Sequence, residues 1–94
     1  MAEVEGLLSS LCIAAPDRFA RVCAVYALLR AVAGGRGRVV KLRASLAEGF
    51  EEEAAYVVKR AVEALGTRVV PRHKARAVLA KILYEELLRA IGEG

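Results

Sequence analysis

The chain has 94 residues, a formal net charge of +4 at pH 7 and 56% hydrophobic residues. This length supports one hydrophobic core of ordinary size and excludes two, so we expect a single domain over residues 1–94. No apolar run approaches the ~20 residues of a membrane span, and we therefore expect no membrane contact.

The first predicted element is a short helix over residues 3–13. Its apolar residues recur at i, i+3 and i+4, as one face of a helix requires: Val4, Leu7, Leu8, Leu11 and Cys12. Acidic Glu3 and Glu5 precede this stretch, where a signal peptide would carry basic residues. We therefore expect a cytoplasmic protein.

Pro16 and Asp17 predict the start of a second helix, because proline is tolerated in a first turn and an acid favours the positive end of the helix dipole. The apolar face of this helix is expected to be Phe19, Val22, Cys23, Tyr26, Leu29 and Ala33. Gly34 and Gly35 predict its end in a left-handed C-cap.

From Arg38 onwards, apolar residues recur at every second position instead of about every 3.6 residues, which predicts a strand. One face of this strand is expected to hold Val40, Leu42 and Ala44, and the other Val39, Lys41 and Arg43. Ser45 and Glu48 then form a capping-box pattern, which predicts that a third helix begins there. Glu51, Glu52 and Glu53 suit its first turns, and Gly66 suits its end.

Residues 67–71 predict a second short strand, with Pro71 at a strand end or edge. The stretch 72–76 leads into a last helix with the apolar stripe Val78, Leu79, Ile82, Leu83, Leu87 and Ile91. The fold class is therefore α+β, with four helices and a small two- to three-stranded sheet in the order α-α-β-α-β-α. Tyr26, Tyr56 and Tyr84 lie beside apolar stripes and are expected to be core residues with their hydroxyls at the rim.

The two cysteines, Cys12 and Cys23, both fall within apolar helical patterns. With a single histidine in the chain, no four-ligand zinc site can form in one subunit. We expect two buried thiols, with a disulfide as the alternative. Asn and Gln are absent and Arg and Glu carry most of the charge, which is typical of a thermophile, although a GC-rich genome produces part of the same bias.

Basic residues are concentrated in two stretches that contain no acid. Residues 36–43 and 68–76 together hold eight of the fifteen Lys and Arg residues: Arg36, Arg38, Lys41, Arg43, Arg68, Arg72, Lys74 and Arg76. If the two predicted strands pair, these side chains share one surface. Such a surface would contact the phosphates of DNA or RNA, or it would be an ordinary solvated sheet face.

The glycine-rich segment "GGRG" does not predict a nucleotide site. It lacks the Lys-Ser/Thr of a P-loop, and it follows a helix and precedes a strand, which is the reverse of the order that a P-loop needs. Neither basic stretch contains an aromatic residue, which argues against a platform for stacked single-stranded bases.

Catalytic chemistry is scarce in this sequence. His73 has no Cys or Ser partner nearby in sequence and stands between Arg72 and Lys74. Glu51, Glu52 and Glu53 point about 100° apart on a helix and cannot converge on one metal ion. We therefore expect no enzyme, no cofactor and no metal site.

The segment from Tyr26 to Pro71, with "AGGRGRV" after a helix and "EALGTRVVP" at the end of the next, resembles one half of a LAGLIDADG-type DNA-binding domain. The resemblance implies strands that lie on DNA. The nucleases of that family carry an acidic metal ligand at the helix end, where this chain has Gly34 and Gly35, so the resemblance implies binding without cleavage. A complete half of that domain also has more strands than this sequence predicts.

Together these patterns predict a small, non-catalytic nucleic-acid-binding protein that uses the eight basic residues named above. We expect it to act as a homodimer or as a subunit of a larger assembly, because so apolar a small domain leaves surface for a partner to cover. The alternative is a protein-interaction module or accessory subunit that docks through apolar helix faces, with the apolar stripe of the last helix on the partner.

Overall fold

The computed structural model describes residues 2–15 and 17–92, with side chains from residue 6 onwards. Within them, four helices and two strands follow in the predicted order α-α-β-α-β-α. Their bounds are α1 Ala2–Ala14, α2 Ala20–Gly34, β1 Val39–Lys41, α3 Glu51–Leu65, β2 Val69–Pro71 and α4 Arg72–Gly92. No helix in the described ranges has both the length and the apolar character needed to cross a membrane.

Helix α2 lies at the centre of the molecule, in contact with α1, α3 and α4. Its buried residues surround most of the helix: Val22, Cys23, Ala24, Val25, Leu28 and Val32. The predicted apolar face was therefore only partly right, since Ala33 is exposed and Phe19, Tyr26 and Leu29 are half-buried. A helix packed on several sides buries residues all round, and a single stripe cannot describe it.

Helix α2 begins later than its sequence predicts. Asp17 lies in a turn rather than in the first turn of the helix, which starts at Ala20. Pro16, the other residue of that prediction, lies outside the described residues, as does the side chain of Val4 in α1. The rest of the predicted α1 face is uneven, because Leu8 is buried and Leu7 is exposed.

The two strands form an antiparallel sheet in which Val40 is paired with Val70. The predicted alternation is confirmed along β1, since Val39 and Lys41 are exposed, Val40 is half-buried and Leu42, which follows the strand, is fully buried. Because cross-strand partners share a face, Val70 enters the core beside Val40 and Leu42.

The capping-box prediction at Ser45 and Glu48 is wrong. Residues 44–46 form a single 3-10 turn, and Gly49 follows with a φ of +87° that interrupts any continuous helix. Helix α3 begins only at Glu51, behind Phe50, which makes no side-chain cap. The three acids do occupy its first turn, and Gly66 ends it in the predicted left-handed conformation, with its N–H bonded to the Val62 carbonyl at 2.7 Å.

Helix α4 buries two residues of its predicted stripe, Leu79 and Ile82, against α2 and α3. It also buries Glu86, a residue that the apolar pattern did not single out. The Glu86 carboxylate is 3% exposed and accepts a hydrogen bond from Arg60 of α3 at 3.2 Å. Arg60 also pairs with Glu85 at 3.1 Å, and Arg89 lies 3.6 Å from Glu86.

We expect Arg60→Ala to lower the free energy of unfolding by about 2–3 kcal/mol, because it leaves the buried Glu86 carboxylate without its partner on α3. Arg89→Ala is the matched control, and since Arg89 is largely exposed it should lower the value by less than about 1 kcal/mol. Urea denaturation of both variants measures the difference. Equal losses of unfolding free energy would mean that the Arg60–Glu86 ion pair stabilises the protein no more than the Arg89–Glu86 contact does.

Cys12 and Cys23 form a disulfide between α1 and α2, so the expectation of two free thiols is wrong and the alternative is correct. The sequence pattern could not decide this, because it does not fix the distance between two helices. The structure places the two Cα atoms 5.7 Å apart, within the range that a disulfide spans. Near this bridge, the hydroxyls of Ser9 and Tyr26 are hydrogen-bonded at 3.0 Å.

Removing this disulfide should loosen α1 more than the rest of the molecule, because α1 packs mainly on α2. Closing a loop of this length contributes about 3 kcal/mol in the chain-entropy description. We expect Cys12→Ser to lower the unfolding free energy by about that amount. Hydrogen exchange of the variant should rise along α1 but not at Leu28 or Leu79, and uniform acceleration would contradict this account.

Candidate nucleic-acid interface

Strand pairing brings the two basic stretches together. The ladder continues beyond both strands, since the Leu42 N–H donates to the Arg68 carbonyl at 2.9 Å and the Arg72 N–H donates to the Arg38 carbonyl at 2.7 Å. Residues 38–42 and 68–72 therefore run side by side in opposite directions. The two predicted strands are therefore paired, as the predicted basic surface requires.

The outer face of the sheet itself is more apolar than the prediction implied. Val39 and Lys41 of β1 face Pro71 and Val69 of β2 across the strands. Both valines are about half exposed, 53% for Val39 and 54% for Val69, and Lys41 is the only basic residue within the strands. The other basic residues lie at the two ends of the strands and in the first turns of α4.

Seven of the eight predicted residues have exposed side chains: Arg36, Arg38, Lys41, Arg43, Arg68, Lys74 and Arg76. None of the seven forms an ion pair with a described carboxylate. The ion pairs of the described residues instead join Arg60 and Arg89 to Glu85 and Glu86, on α3 and α4. The seven cations are therefore not neutralised by these contacts.

Arg72, the eighth residue, is bound to its own chain. Its Nε donates to the Gly37 carbonyl at 2.8 Å, and its two terminal nitrogens donate to the carbonyls of Val32 and Arg36. The last turn of a helix leaves carbonyls without partners, and Arg72 satisfies the one at Val32. Its guanidinium thus joins the end of α2 and the following turn to the start of α4.

The glycines of the turn have different roles. Gly35 is extended (φ −77°, ψ 171°), so the predicted left-handed C-cap is wrong at this position, and the positive φ of +91° is found at Gly37. A Cβ on Gly35 would lie 2.5 Å from a terminal nitrogen of Arg72, whereas a Cβ on Gly34 would meet no atom within 4 Å. A side chain at position 35 would therefore force the Arg72 guanidinium to shift.

His73 lies in the first turn of α4, next to Arg72, and its side chain is exposed. Among the residues that the structure describes, no three His, Cys, Asp or Glu side chains are grouped so that they could hold a metal ion. Tyr26 is half-buried, but Tyr56 is 39% and Tyr84 64% exposed, so the prediction of core residues is wrong for these two tyrosines. Tyr56 is covered by Arg21, whose guanidinium lies 4.2 Å from the ring centre.

No protein-family model, curated protein or solved structure matches the chain. The resemblance to a LAGLIDADG-type half-domain stays a prediction from the sequence. Functional inference for this protein therefore depends on the geometry of its own residues.

Gly35→Ala should destabilise the protein by about 1–2 kcal/mol, because the new methyl group displaces the Arg72 guanidinium from its carbonyl partners. Gly34→Ala, one residue away at the end of α2, should change stability by less than about 0.5 kcal/mol or raise it slightly. Thermal unfolding of the two variants checks the contrast. If both variants unfold at the same temperature, Arg72 does not require the glycine.

Proposed function

We propose that this protein binds the phosphate backbone of nucleic acid through the seven exposed basic residues around the β1–β2 sheet. Its action is that of a binding protein, without catalysis. The observation that carries the proposal is the antiparallel pairing of two acid-free basic stretches, which places their cations around one short sheet. Lys and Arg side chains on such a surface neutralise phosphates and release counterions.

The seven cations of this surface are available to an external anion. The ion pairs of the described residues join Arg60 and Arg89 to Glu85 and Glu86 elsewhere in the molecule, and none involves the seven. Arg72 is excluded from the set of phosphate contacts, because its guanidinium already donates to three backbone carbonyls.

Val39 and Val69 are half exposed at the centre of the proposed binding surface. Valine side chains offer no hydrogen bonds to base edges, so the centre of the surface contributes shape and apolar contact while the ends contribute charge. This arrangement favours binding with little dependence on base sequence. Neither stretch offers an aromatic ring for base stacking, which favours a duplex over a single strand.

The test is fluorescence anisotropy with labelled duplex DNA and duplex RNA at about 50 and about 200 mM salt. Affinity should fall steeply as salt rises. In Lys41→Ala/Arg43→Ala, the slope of log K against log salt should decrease by about 2 for DNA, because each lost phosphate contact removes close to one released counterion.

The control is Lys59→Ala/Lys81→Ala, which removes the same charge from exposed positions of α3 and α4 outside both basic stretches. It should leave the slope nearly unchanged. An equal effect of the two double variants would mean that only net charge attracts the duplex. Absence of binding to either duplex at the lower salt concentration would remove the proposal.

A further inference from the structure

A groove of about 610 Å³ runs between α2 and α4 and is bounded at one end by α1. It is distinct from the outer face of the sheet. Residues of the three helices line it, and those that matter here are Leu29, Arg30, His73, Arg76, Leu83 and Tyr84.

The two ends of this groove differ in chemistry. Near the start of α4 the groove carries Arg30, His73 and Arg76, and towards α1 it carries Leu83, Tyr84 and Leu87. Ala77 and Ala80 lie between them on α4, and their small side chains allow another backbone to approach closely. Among the residues whose side chains are described, no acid lines the groove, and Arg76 has no ion pair with a carboxylate.

The apolar end continues as an exposed helix face. Tyr84, Leu88 and Ile91 follow one another at i, i+4 and i+7 on α4, and each is more than half exposed. The prediction that the α4 stripe docks on a partner is thereby changed, because Leu79 and Ile82 of that stripe belong to the core. The apolar face of α4 that is open to a partner is therefore the one formed by Tyr84, Leu88 and Ile91.

The dimensions of the groove suit a helix. Its α4 wall extends from His73 to Leu87, which at 1.5 Å per residue is about 21 Å, or roughly four helical turns. Amphipathic helices bind such grooves with residues at i, i+3, i+4 and i+7.

We propose that this groove binds an amphipathic helix of a partner protein, with apolar residues on one face and acidic residues at the end that meets Arg30 and Arg76. Charge complementarity selects this occupant. A second copy bound symmetrically by the same groove would offer only the same lining residues, which include no described acidic side chain, so Arg30 and Arg76 would gain no opposite charge. The inference goes beyond the proposed phosphate contacts, with which it shares only Arg76.

The probe for a test is a synthetic 16-residue fluorescent peptide with leucines at i, i+3, i+4 and i+7 and glutamates clustered in its first turns. Two control peptides accompany it, one with the same composition in scrambled order and one with lysine in place of every glutamate. The first peptide should bind at least tenfold more tightly than either control. Amide chemical shifts should change at Ala77, Ala80 and Leu83 and stay constant in α3.

Two pairs of variants locate the site. Tyr84→Glu and Arg30→Glu should each weaken peptide binding about tenfold, because they alter the apolar end and the basic end of the groove. Their controls are Ile13→Glu, at an apolar position that is 84% exposed outside the groove, and Lys59→Glu on α3. Both controls should bind the peptide as the unaltered protein does.

Other outcomes overturn the proposal. Equal binding of the three peptides, or no binding, would show that the groove does not recognise an acidic helix. A dimer in light scattering that Tyr84→Glu dissociates would assign the face to a second copy, and one-to-one binding of oleate without peptide binding would assign it to an anionic lipid. Lys41→Ala/Arg43→Ala should still bind the peptide, so failure of the phosphate proposal is distinguishable from failure of this one.

Discussion

The contacts of Arg72 hold together the part of the molecule on which the rest depends. Its backbone N–H continues the ladder between the strands, and its guanidinium donates to the carbonyls of Val32, Arg36 and Gly37. One residue thus connects the end of α2, the glycine turn, β1 and the start of α4. Its backbone bond to Arg38 joins the start of β1 to the end of β2 and so supports the pairing of the two basic stretches at that end. A two-stranded sheet has little stability alone, so such support from a neighbouring element is physically required.

A second constraint acts at the opposite side of α2. The disulfide between Cys12 and Cys23 holds α1 against the central helix, where the Ser9 and Tyr26 hydroxyls add a hydrogen bond. Structural disulfides are typical of oxidising compartments and also of the intracellular proteins of hyperthermophiles. Because α1 closes one end of the α2–α4 groove, the disulfide also shapes the surface that we assign to a partner helix.

The two proposed surfaces meet at the start of α4. Arg76 lines the groove and also belongs to the second basic stretch, whereas Lys41 and Arg43 lie away from the groove. A phosphate and an acidic side chain are both anions, so they would compete for Arg76. In contrast, Arg60 of α3 pairs with the buried Glu86 of α4, and Arg89 of α4 lies close to the same carboxylate, so neither cation belongs to the two surfaces. The division of arginines between internal contacts and free positions thus determines which faces can bind anions.

The sequence by itself determined the element order, the alternation along β1 and the left-handed end of α3 at Gly66, because these follow from local periodicity and from the conformational freedom of glycine. It also identified the two basic stretches. Only the tertiary structure decided that Arg72 binds its own backbone, that the thiols of Cys12 and Cys23 meet, and that Glu86 is buried. Each of these depends on the distance between groups 11 to 40 residues apart in the chain, from Cys12 and Cys23 to Arg72 and Val32. Such distances are set by how the helices pack, which a pattern of neighbouring residues does not contain.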